Sequence, residues 1–202
     1  MIAVIDYGVG NLFSLQSSLH AVGAEALVTA DEKLLRQADK ILLPGVGAFE
    51  DAASKLRDTG LAALVKELAG EGKPLLGICL GMQLLFEKSY EYGEHEGLGL
   101  IRGVVRPIAE KIPDGLKIPH IGWNALRMKK ESPLFSGIRE GDCVYFVHSF
   151  YADNCEESVI ATAEYGAELT AAVQRGNVYG CQFHPEKSGA VGLSILHAFA
   201  EL

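Results

Sequence analysis

Residues 74–86, with the sequence PLLGICLGMQLLF, join an apolar run directly to a helical pattern. The run from Pro74 to Ile78 predicts a buried strand, and the apolar residues after Gln83 continue as a helix. Two glycines, Gly77 and Gly81, flank Cys79 symmetrically, so the side chain at the turn is pushed outward. This strand-turn-helix pattern is typical of a nucleophile elbow with cysteine in place of serine. A buried structural cysteine at a strand end is the alternative.

The residues before the elbow repeat the same alternation of strand and helix. Alternation of this kind predicts parallel βαβ units, hence an α/β fold with an open, mostly parallel sheet and helices on both faces. Active sites of such sheets lie at the carboxyl ends of the strands. The predicted strands are Ile2–Asp6, Ala26–Thr29, Lys40–Leu43 and Pro74–Ile78, and the predicted helices are Asn11–Val22 (capped by Asn11), Asp31–Ala38, Phe49–Arg57 and Leu61–Ala69.

The second half is dominated by strand patterns joined by turns. These predict antiparallel additions to the sheet, followed by a final helix from Gly189 to Leu202. No linker or composition shift divides the chain, so we expect residues 1–202 to form a single domain. The predicted strands are Val104–Pro107, His120–Leu126, Val144–Phe150, Ser158–Ala163, Ala171–Arg175 and Val178–Phe183.

Composition excludes several classes of function. The 202 residues include 18 Lys and Arg against 26 Asp and Glu, a net charge of −8, and no basic cluster exceeds Lys129-Lys130. We therefore expect no nucleic-acid partner, since nucleic-acid binding requires clustered positive charge. The apolar runs are too short to span a bilayer, and the N-terminus carries no export signal. A soluble cytoplasmic protein with four cysteine thiols and no membrane partner is expected.

A base for the cysteine is predicted about a hundred residues after it. His184, in the segment Phe183-His184-Pro185-Glu186, precedes a proline that favours extended backbone. Glu186, two residues further on, would then project to the same side and orient the imidazole. Cys79, His184 and Glu186 together match an activated nucleophile with its base and an orienting group.

An oxyanion hole needs backbone N–H groups aimed at the developing negative charge. Leu80, the residue after the nucleophile, supplies one such group. The second is predicted from Val46 or Gly47 in the loop Pro44-Gly45-Val46-Gly47, where the glycines allow close approach and rotation of a peptide. The alternative is an ordinary turn from strand to helix.

Two further patterns are weak indicators of binding. Gly8-Val9-Gly10 begins like a dinucleotide fingerprint, but Phe13 stands where the third glycine belongs. Cys181 and His184 have the spacing of metal ligands without a second pair, and strand alternation favours Cys181 in the core. We therefore predict no metal and no cofactor.

Taken together, the cysteine elbow, the distant His-Pro-Glu and the Pro-Gly-x-Gly loop resemble the class I, or triad, glutamine amidotransferases over essentially the whole chain. Within that family the chain is most similar to the glutaminase subunits of imidazole glycerol phosphate synthases in histidine biosynthesis. The segments that carry this likeness are Asp6–Asn11, Pro44–Gly47, Gly77–Gln83 and Pro119–Asn124.

The resemblance implies a flavodoxin-like fold and a glutaminase. In it, Cys79 attacks the side-chain amide of glutamine, His184 transfers the proton and Glu186 orients His184. The resemblance also implies that Gly47, Gln83, His148, Ser149 and Phe150 bind the amino acid. The implied partner is a cyclase subunit, which uses the ammonia within a heterodimer.

The segment Pro119, His120, Ile121, Gly122, Trp123 and Asn124 is predicted to be the partner surface. Its Trp123, the only tryptophan, would be an exposed anchor, with a core position as the alternative. Other readings of the chain are a glutaminase serving a different synthase, a cysteine hydrolase of peptides or esters, and a binding subunit with an inactive site.

Overall fold

A computed structural model describes all of residues 1–202. The strands are β1 (Ile2–Ile5), β2 (Ala26–Thr29), β3 (Lys40–Leu43), β4 (Leu75–Ile78), β5 (Lys88–Ser89), β6 (His95–Glu96), β7 (Val104–Pro107), β8 (His120–Met128), β9 (Cys143–His148), β10 (Phe150–Asp153), β11 (Val159–Glu164), β12 (Glu168–Arg175) and β13 (Val178–Cys181). The helices are α1 (Leu12–Ala21), α2 (Glu32–Gln37), α3 (Phe49–Asp58), α4 (Leu61–Gly70), α5 (Leu80–Leu84) and α6 (Gly189–Glu201), with short 3₁₀ turns at Ile108–Glu110, Pro133–Phe135 and Pro185–Lys187.

The main sheet has nine strands in the order β2-β1-β3-β4-β13-β12-β11-β8-β9. The strands from β2 to β13 pair in parallel, and the remaining four are added in antiparallel fashion. The predicted α/β class is therefore confirmed. Because β3, β4 and β13 run in the same direction, the residues that follow them (Pro44, Cys79 and Gln182) meet at one edge of the sheet.

Helices cover both faces of the parallel strands, as the alternation of buried residues requires. In β1, Ile2 and Val4 pack into one apolar cluster with α1 and α6, whereas Ala3 and Ile5 pack into the other with α3 and α4. This division follows from the two-residue period of a strand, which sends successive side chains to opposite faces. No helix in the chain combines the length and the apolar character needed to cross a membrane.

The structure departs from the predicted elements in several ways. The strand at Val178–Phe183 was predicted as an antiparallel addition, but β13 pairs in parallel with β4. The predicted strand from Val144 to Phe150 is two strands, because the chain breaks at Ser149 and Phe150 pairs with β7 in a separate four-stranded sheet, β10-β7-β5-β6. The last predicted strand ends at Cys181, so Gln182 and Phe183 lie beyond it. The short strands β5 and β6 had no sequence signal. In the first half, Asn11 makes no capping hydrogen bond from its side chain.

Candidate active site

Cys79 occupies the turn between β4 and α5 in a strained conformation, with φ 55° and ψ −113°. Its backbone is held on both sides: Cys79 N donates to Cys181 O at 2.7 Å, and Cys79 O accepts from Gln83 N at 3.2 Å. A positive φ at a non-glycine residue persists only where its surroundings impose it, and such residues cluster at functional sites. The elbow predicted from the sequence is therefore present, with the sulfur at the start of a helix.

The glycines around the elbow serve close packing rather than positive φ. A Cβ on Gly81 would lie 1.9 Å from Leu43 O, and one on Gly77 would lie 2.6 Å from Gly81 O. Gly45 is equally confined, because its Cβ would lie 2.7 Å from Gly81 N. The positive φ of the turn is carried by Cys79 itself.

His184 reaches the elbow from the end of β13. Its backbone is extended, with φ −99° and ψ 98°, as expected before Pro185. Nδ1 lies 2.8 Å from Glu186 Oε1, and both side chains are only 4% exposed. Glu186 lies in the 3₁₀ turn Pro185–Lys187, so the extended backbone at His184 does not continue to it. With Nδ1 bonded to Glu186, Nε2 is the nitrogen left for the sulfur.

Hydrogen bonding decides the protonation of His184. Burial lowers its pKa, but hydrogen bonds to Cys79 and Glu186, together with their charges, outweigh burial and raise the pKa to about 9. The imidazole is therefore a cation at neutral pH. A positive charge therefore lies beside the sulfur of Cys79.

The backbone of His184 is clamped to β9. His184 N donates to Tyr145 O at 3.0 Å. The hydroxyl of Ser188 accepts from Tyr145 N at 2.9 Å and donates to His184 O at 2.6 Å. Ser188, which is 1% exposed, thus ties the edge strand β9 to the backbone of His184.

The loop Pro44–Gly47 is fixed at one end and free at the other. Tyr7 donates its hydroxyl to Pro44 O at 2.6 Å, and Gly45 is packed against the elbow. Gly47 has φ +96° and open space at its Cβ position. The N–H groups of Val46 and Gly47 donate no hydrogen bond within the chain, so both are available to a ligand.

A cavity of about 430 Å³ lies over the sulfur. The predicted site residues that line it are Val46, Gly47, Cys79, Leu80, Gln83, His148, Ser149, Phe150 and His184. Pro119 lines it too, although the sequence assigned that residue to a partner surface. Glu186 is behind His184 rather than at the cavity wall. The structure therefore brings the predicted triad and the predicted substrate residues to one place.

Four lining residues were missed: Glu91, Tyr92, Val147 and Lys187. Glu91 is the only carboxylate at the wall, and its Oε2 accepts from Phe49 N at 2.8 Å, at the start of α3. Burial raises the pKa of Glu91, whereas this bond opposes the rise. Glu91 lies in a stretch with no periodic pattern, so the sequence offered no signal for it. Lys187, directly after Glu186, could have been suspected from its position.

Gln83 is partly committed within the protein. Its Nε2 donates to Phe150 O at 3.2 Å and to Gln182 Oε1 at 3.0 Å, which leaves its own Oε1 without a partner in the chain. Gln182 in turn directs its Nε2 at Cys79 Sγ, 3.8 Å away. The wall of the cavity is thus linked to the sulfur by two buried amides.

The segment Pro119–Asn124 is divided between the interior and the surface. His120, predicted as part of the partner surface, is only 1% exposed, so its side chain lies in the interior of the chain. Ile121 is 57% exposed and Trp123 is 55% exposed, which excludes the core alternative for the tryptophan. Trp123 contacts Tyr145 edge to face, with 6.0 Å between ring centroids.

Cys181 and the Gly8-Val9-Gly10 pattern, which the sequence left open as possible binding features, have structural roles. All four cysteines are free, and Cys181 is fully buried in the core. Burial raises the pKa of its thiol. A Cβ on Gly10 would lie 3.1 Å from Pro44 Cβ, so this glycine allows the loop after β1 to pack on the loop after β3.

The family model for class I glutamine amidotransferases matches residues 3–201. The chain belongs to this family. Curated amidotransferase relatives include the imidazole glycerol phosphate synthase subunit HisH of Caldanaerobacter subterraneus, which is 51% identical over 100% of this chain and 98% of its own length. The HisH subunit of Geobacillus thermodenitrificans is 52% identical over 98% of this chain and 94% of its own length.

Solved structures of amidotransferases share the fold at much lower identity. One described as a glutamine amidotransferase superposes with a TM-score of 0.77 at 21% identity, covering 100% of both chains. A chain of the PurLQS structure from Thermotoga maritima gives a TM-score of 0.77 at 21% identity, covering 99% of this chain and 97% of that one. These two likenesses establish the fold alone.

Proposed function

We propose that this chain is the glutaminase subunit of an imidazole glycerol phosphate synthase in histidine biosynthesis. It hydrolyses glutamine to glutamate and ammonia and delivers the ammonia to a cyclase subunit. The observation that carries the proposal is the cavity that holds Cys79, His184 and the polar residues around them in a chain 51% identical to a HisH subunit. No cofactor is needed, because the triad alone supplies a nucleophile, an acid and a base.

The first half of the reaction forms a thioester. The Cys79 thiolate attacks the side-chain carbonyl carbon of glutamine, and the carbonyl oxygen becomes an oxyanion. Because the pKa of His184 is raised to about 9, the imidazolium is ready to protonate the departing nitrogen. The carbon–nitrogen bond breaks, ammonia leaves, and a glutamyl thioester and a neutral imidazole remain.

The second half releases glutamate. Neutral His184 takes a proton from water, whose oxygen attacks the thioester carbon. The carbon–sulfur bond then breaks, and the enzyme regains a thiolate and an imidazolium. Glu186 acts through His184 in both halves, because its Oε1 holds Nδ1–H and its charge stabilises the cation.

The oxyanion requires N–H donors close to the sulfur. Leu80, the first residue of α5, offers one, and the macrodipole of the helix start favours negative charge there. The free N–H groups of Val46 or Gly47 supply the second. Their lack of partners within the chain supports this assignment.

Glutamine also carries an ammonium and a carboxylate, and the cavity has groups suited to both. Glu91 and the unpartnered Oε1 of Gln83 can only accept hydrogen bonds, which suits the ammonium. Lys187 and the polar groups of the segment His148–Phe150 then lie on the wall available to the carboxylate. Peptides or esters without an α-ammonium would offer no cation to Glu91, whose Oε2 is bonded to Phe49 N only, which argues against a general cysteine hydrolase.

Exposed apolar side chains support a docking surface for the cyclase. Val46 and Tyr92, which line the cavity, are 43% and 91% exposed, and Ile121 and Trp123 lie exposed on β8. Large exposed apolar groups near an active site mark protein interfaces. A partner seated on them would close the cavity and receive the ammonia, forming a heterodimer.

The test measures glutamate release from glutamine by the chain alone, with a cyclase subunit, and with the cyclase and its nucleotide substrate. We expect Cys79→Ala to abolish release and Cys143→Ala, at an exposed thiol outside the site, to retain it. Formation of imidazole glycerol phosphate in the complex separates this synthase from others. Activity on peptides or esters in place of glutamine would contradict the proposal, as would full activity of Cys79→Ala.

A further inference from the structure

A line of hydrogen bonds runs from the candidate active site to β8, with the contact between its two histidines buried. His148 Nδ1 lies 2.8 Å from Phe150 O, and His148 Nε2 lies 3.0 Å from His120 Nδ1. His120 Nε2 is 2.7 Å from Asn124 Oδ1, and Asn124 Nδ2 donates to Glu164 O at 2.9 Å. The line therefore has four contacts, with a backbone carbonyl at each end.

When both imidazoles are neutral, this line has fewer hydrogens to donate than it has hydrogen-bond contacts. Each of the four contacts needs one hydrogen, and the carbonyl ends can only accept. Each neutral imidazole has one N–H group. The Asn124 amide donates a hydrogen to only one of its two contacts, because it makes the other contact through its oxygen. Three hydrogens are thus available for four contacts. Flipping the amide or changing a tautomer moves the gap without filling it.

We propose that His120 and His148 bind one shared proton, and that this proton completes the line and ties the Phe150 carbonyl to the wall of the cavity. In the neutral pair, two lone pairs face each other at one contact. A buried contact of this kind is unfavourable, because neither nitrogen has a hydrogen to donate to the other. The two histidines are positioning residues, since neither is required to touch the reacting atoms.

The Phe150 carbonyl matters because it is shared. It also accepts from Gln83 Nε2, which donates to Gln182 Oε1, and Gln182 directs its own amide at Cys79 Sγ. In a neutral pair the missing hydrogen can be the one at His148 Nδ1, and the Phe150 carbonyl then loses its bond to His148. The Gln83 amide in turn loses a fixed acceptor. The consequence for glutamine binding rests on the proposed function, whereas the hydrogen count does not.

The surroundings determine at which pH the proton is bound. His120 is stacked between Phe146 and Tyr165, with ring centroids 5.1 Å and 4.1 Å away. The titratable groups that face the pair are Tyr165 and, on the cavity side of His148, the cationic His184. No carboxylate lies within salt-bridge distance of either ring. Burial lowers the pKa of both rings, so we expect the pair to take up its proton below the ordinary histidine range.

Two substitutions at Asn124 should act in opposite directions. Asn124→Asp places a carboxylate at His120 Nε2, which favours the protonated pair and raises its pKa. Asn124→Ala removes both contacts of the amide and leaves only those from His148 to Phe150 O and from His148 to His120. The two N–H groups of the neutral rings are enough for these two contacts. The pair therefore no longer needs an extra proton, and its pKa falls. Ala125→Asp is the matched control, since it adds the same charge one residue along, on the opposite face of β8.

The test follows the ring nitrogens of the full chain, labelled with ¹⁵N-histidine, by NMR from about pH 8 down to about pH 4. The rings of His120 and His148 should shift together, with one midpoint and a total of one proton. We expect Asn124→Asp to raise that midpoint by about a pH unit or more, Asn124→Ala to lower it or move it below the acid unfolding transition, and Ala125→Asp to leave it unchanged.

Separate midpoints for the two rings, or uptake of two protons, would overturn the proposal. So would a shift in the same direction for both Asn124 variants, or no titration above acid unfolding in Asn124→Asp. A second readout tests the consequence for the site: at neutral pH, Asn124→Asp should lower the KM for glutamine with little change in kcat. An unchanged KM together with the predicted titration would refute only the part that depends on the proposed function.

Discussion

Replacing Glu186 by glutamine should lower the pH at which the enzyme loses activity on its alkaline side. Glu186→Gln retains the shape of the side chain but removes the charge that faces His184 Nδ1 at 2.8 Å. A buried hydrogen bond to a charged group contributes about 1.5–3 kcal/mol, and one pKa unit corresponds to about 1.4 kcal/mol. Loss of most of that bond should therefore lower the pKa of His184 from about 9 by roughly 1–2 units.

The sign follows from the form of His184 that is needed. Protonation of the leaving nitrogen requires the imidazolium, so activity falls as pH rises through the pKa of His184. At pH 8, a fall in that pKa from about 9 to about 7.5 would reduce the imidazolium from about nine-tenths of the molecules to about one-quarter. The difference between the two enzymes should be smallest below neutral pH and should widen above it.

The assay is kcat/KM for glutamate release across the pH range, with Glu131→Gln as the control at an exposed carboxylate that makes no hydrogen bond. The ¹⁵N shifts of His184 in the same variants report its titration directly. An alkaline limb at the same pH in Glu186→Gln and in the parent would refute the reasoning. A uniform loss of activity at every pH would assign Glu186 to holding the ring in place only.

Three further predictions rest on single features. A complex carrying Cys79→Ala should still form product from added ammonium salt at alkaline pH; failure of that rescue with the complex intact would assign this chain a part in the synthase step. Trp123→Ala should weaken the complex by about 2 kcal/mol or more in a titration, with little change in the Tm of the free chain. Unchanged affinity would contradict this. A Cβ at Gly81 would lie 1.9 Å from Leu43 O, so Gly81→Ala should lower the free energy of unfolding in urea by about 1–3 kcal/mol or more. Gly70→Ala, where a Cβ meets open space, should not lower it. Equal effects of the two substitutions would exclude the packing explanation.

Local patterns were sufficient for the parts of the site that are continuous in sequence. The elbow around Cys79 and the His184-Pro185-Glu186 segment each carry their own geometry, because glycine packing and a proline constrain the backbone within a few residues. Their meeting in space depends on β13 pairing in parallel with β4, which the sequence did not indicate, because the strand at Val178–Phe183 was predicted as an antiparallel addition. Assignment of roles to these residues stays a prediction until the variants are measured.

Features that depend on partners distant in sequence were not predictable. The apolar run from Val144 to Phe150 indicated one strand, yet Phe150 pairs with Pro107 on another sheet, and that pairing breaks the run at Ser149. His120 was taken as surface because it adjoins Trp123, whereas its partner His148 lies 28 residues further along the chain. A buried polar residue reveals its role only when its hydrogen-bond partners are known.

Glutamine hydrolysis by the free chain should be slow, and the cyclase with its nucleotide should accelerate it through the loop Pro44–Gly47. Tyr7 holds Pro44 O, and the elbow confines Gly45, so rotation is restricted to the peptide between Val46 and Gly47. Both N–H groups of that region are unpaired, and Gly47 at φ +96° can change conformation at little cost. The loop can therefore present or withdraw one oxyanion donor without disturbing the triad.

The magnitude of this effect is compatible with control by a partner. Loss of one oxyanion donor costs about 2.7–4 kcal/mol, or about 10²–10³ in turnover, and coupling between binding sites typically amounts to about 1–3 kcal/mol. Since the donor acts on the transition state, kcat should rise far more than the affinity for glutamine. Val46 is 43% exposed at the cavity mouth, where a docked subunit can contact the loop directly. Turnover of the free chain, the binary complex and the nucleotide-loaded complex tests the idea, and a free chain as fast as the loaded complex would eliminate it while leaving the triad assignment intact.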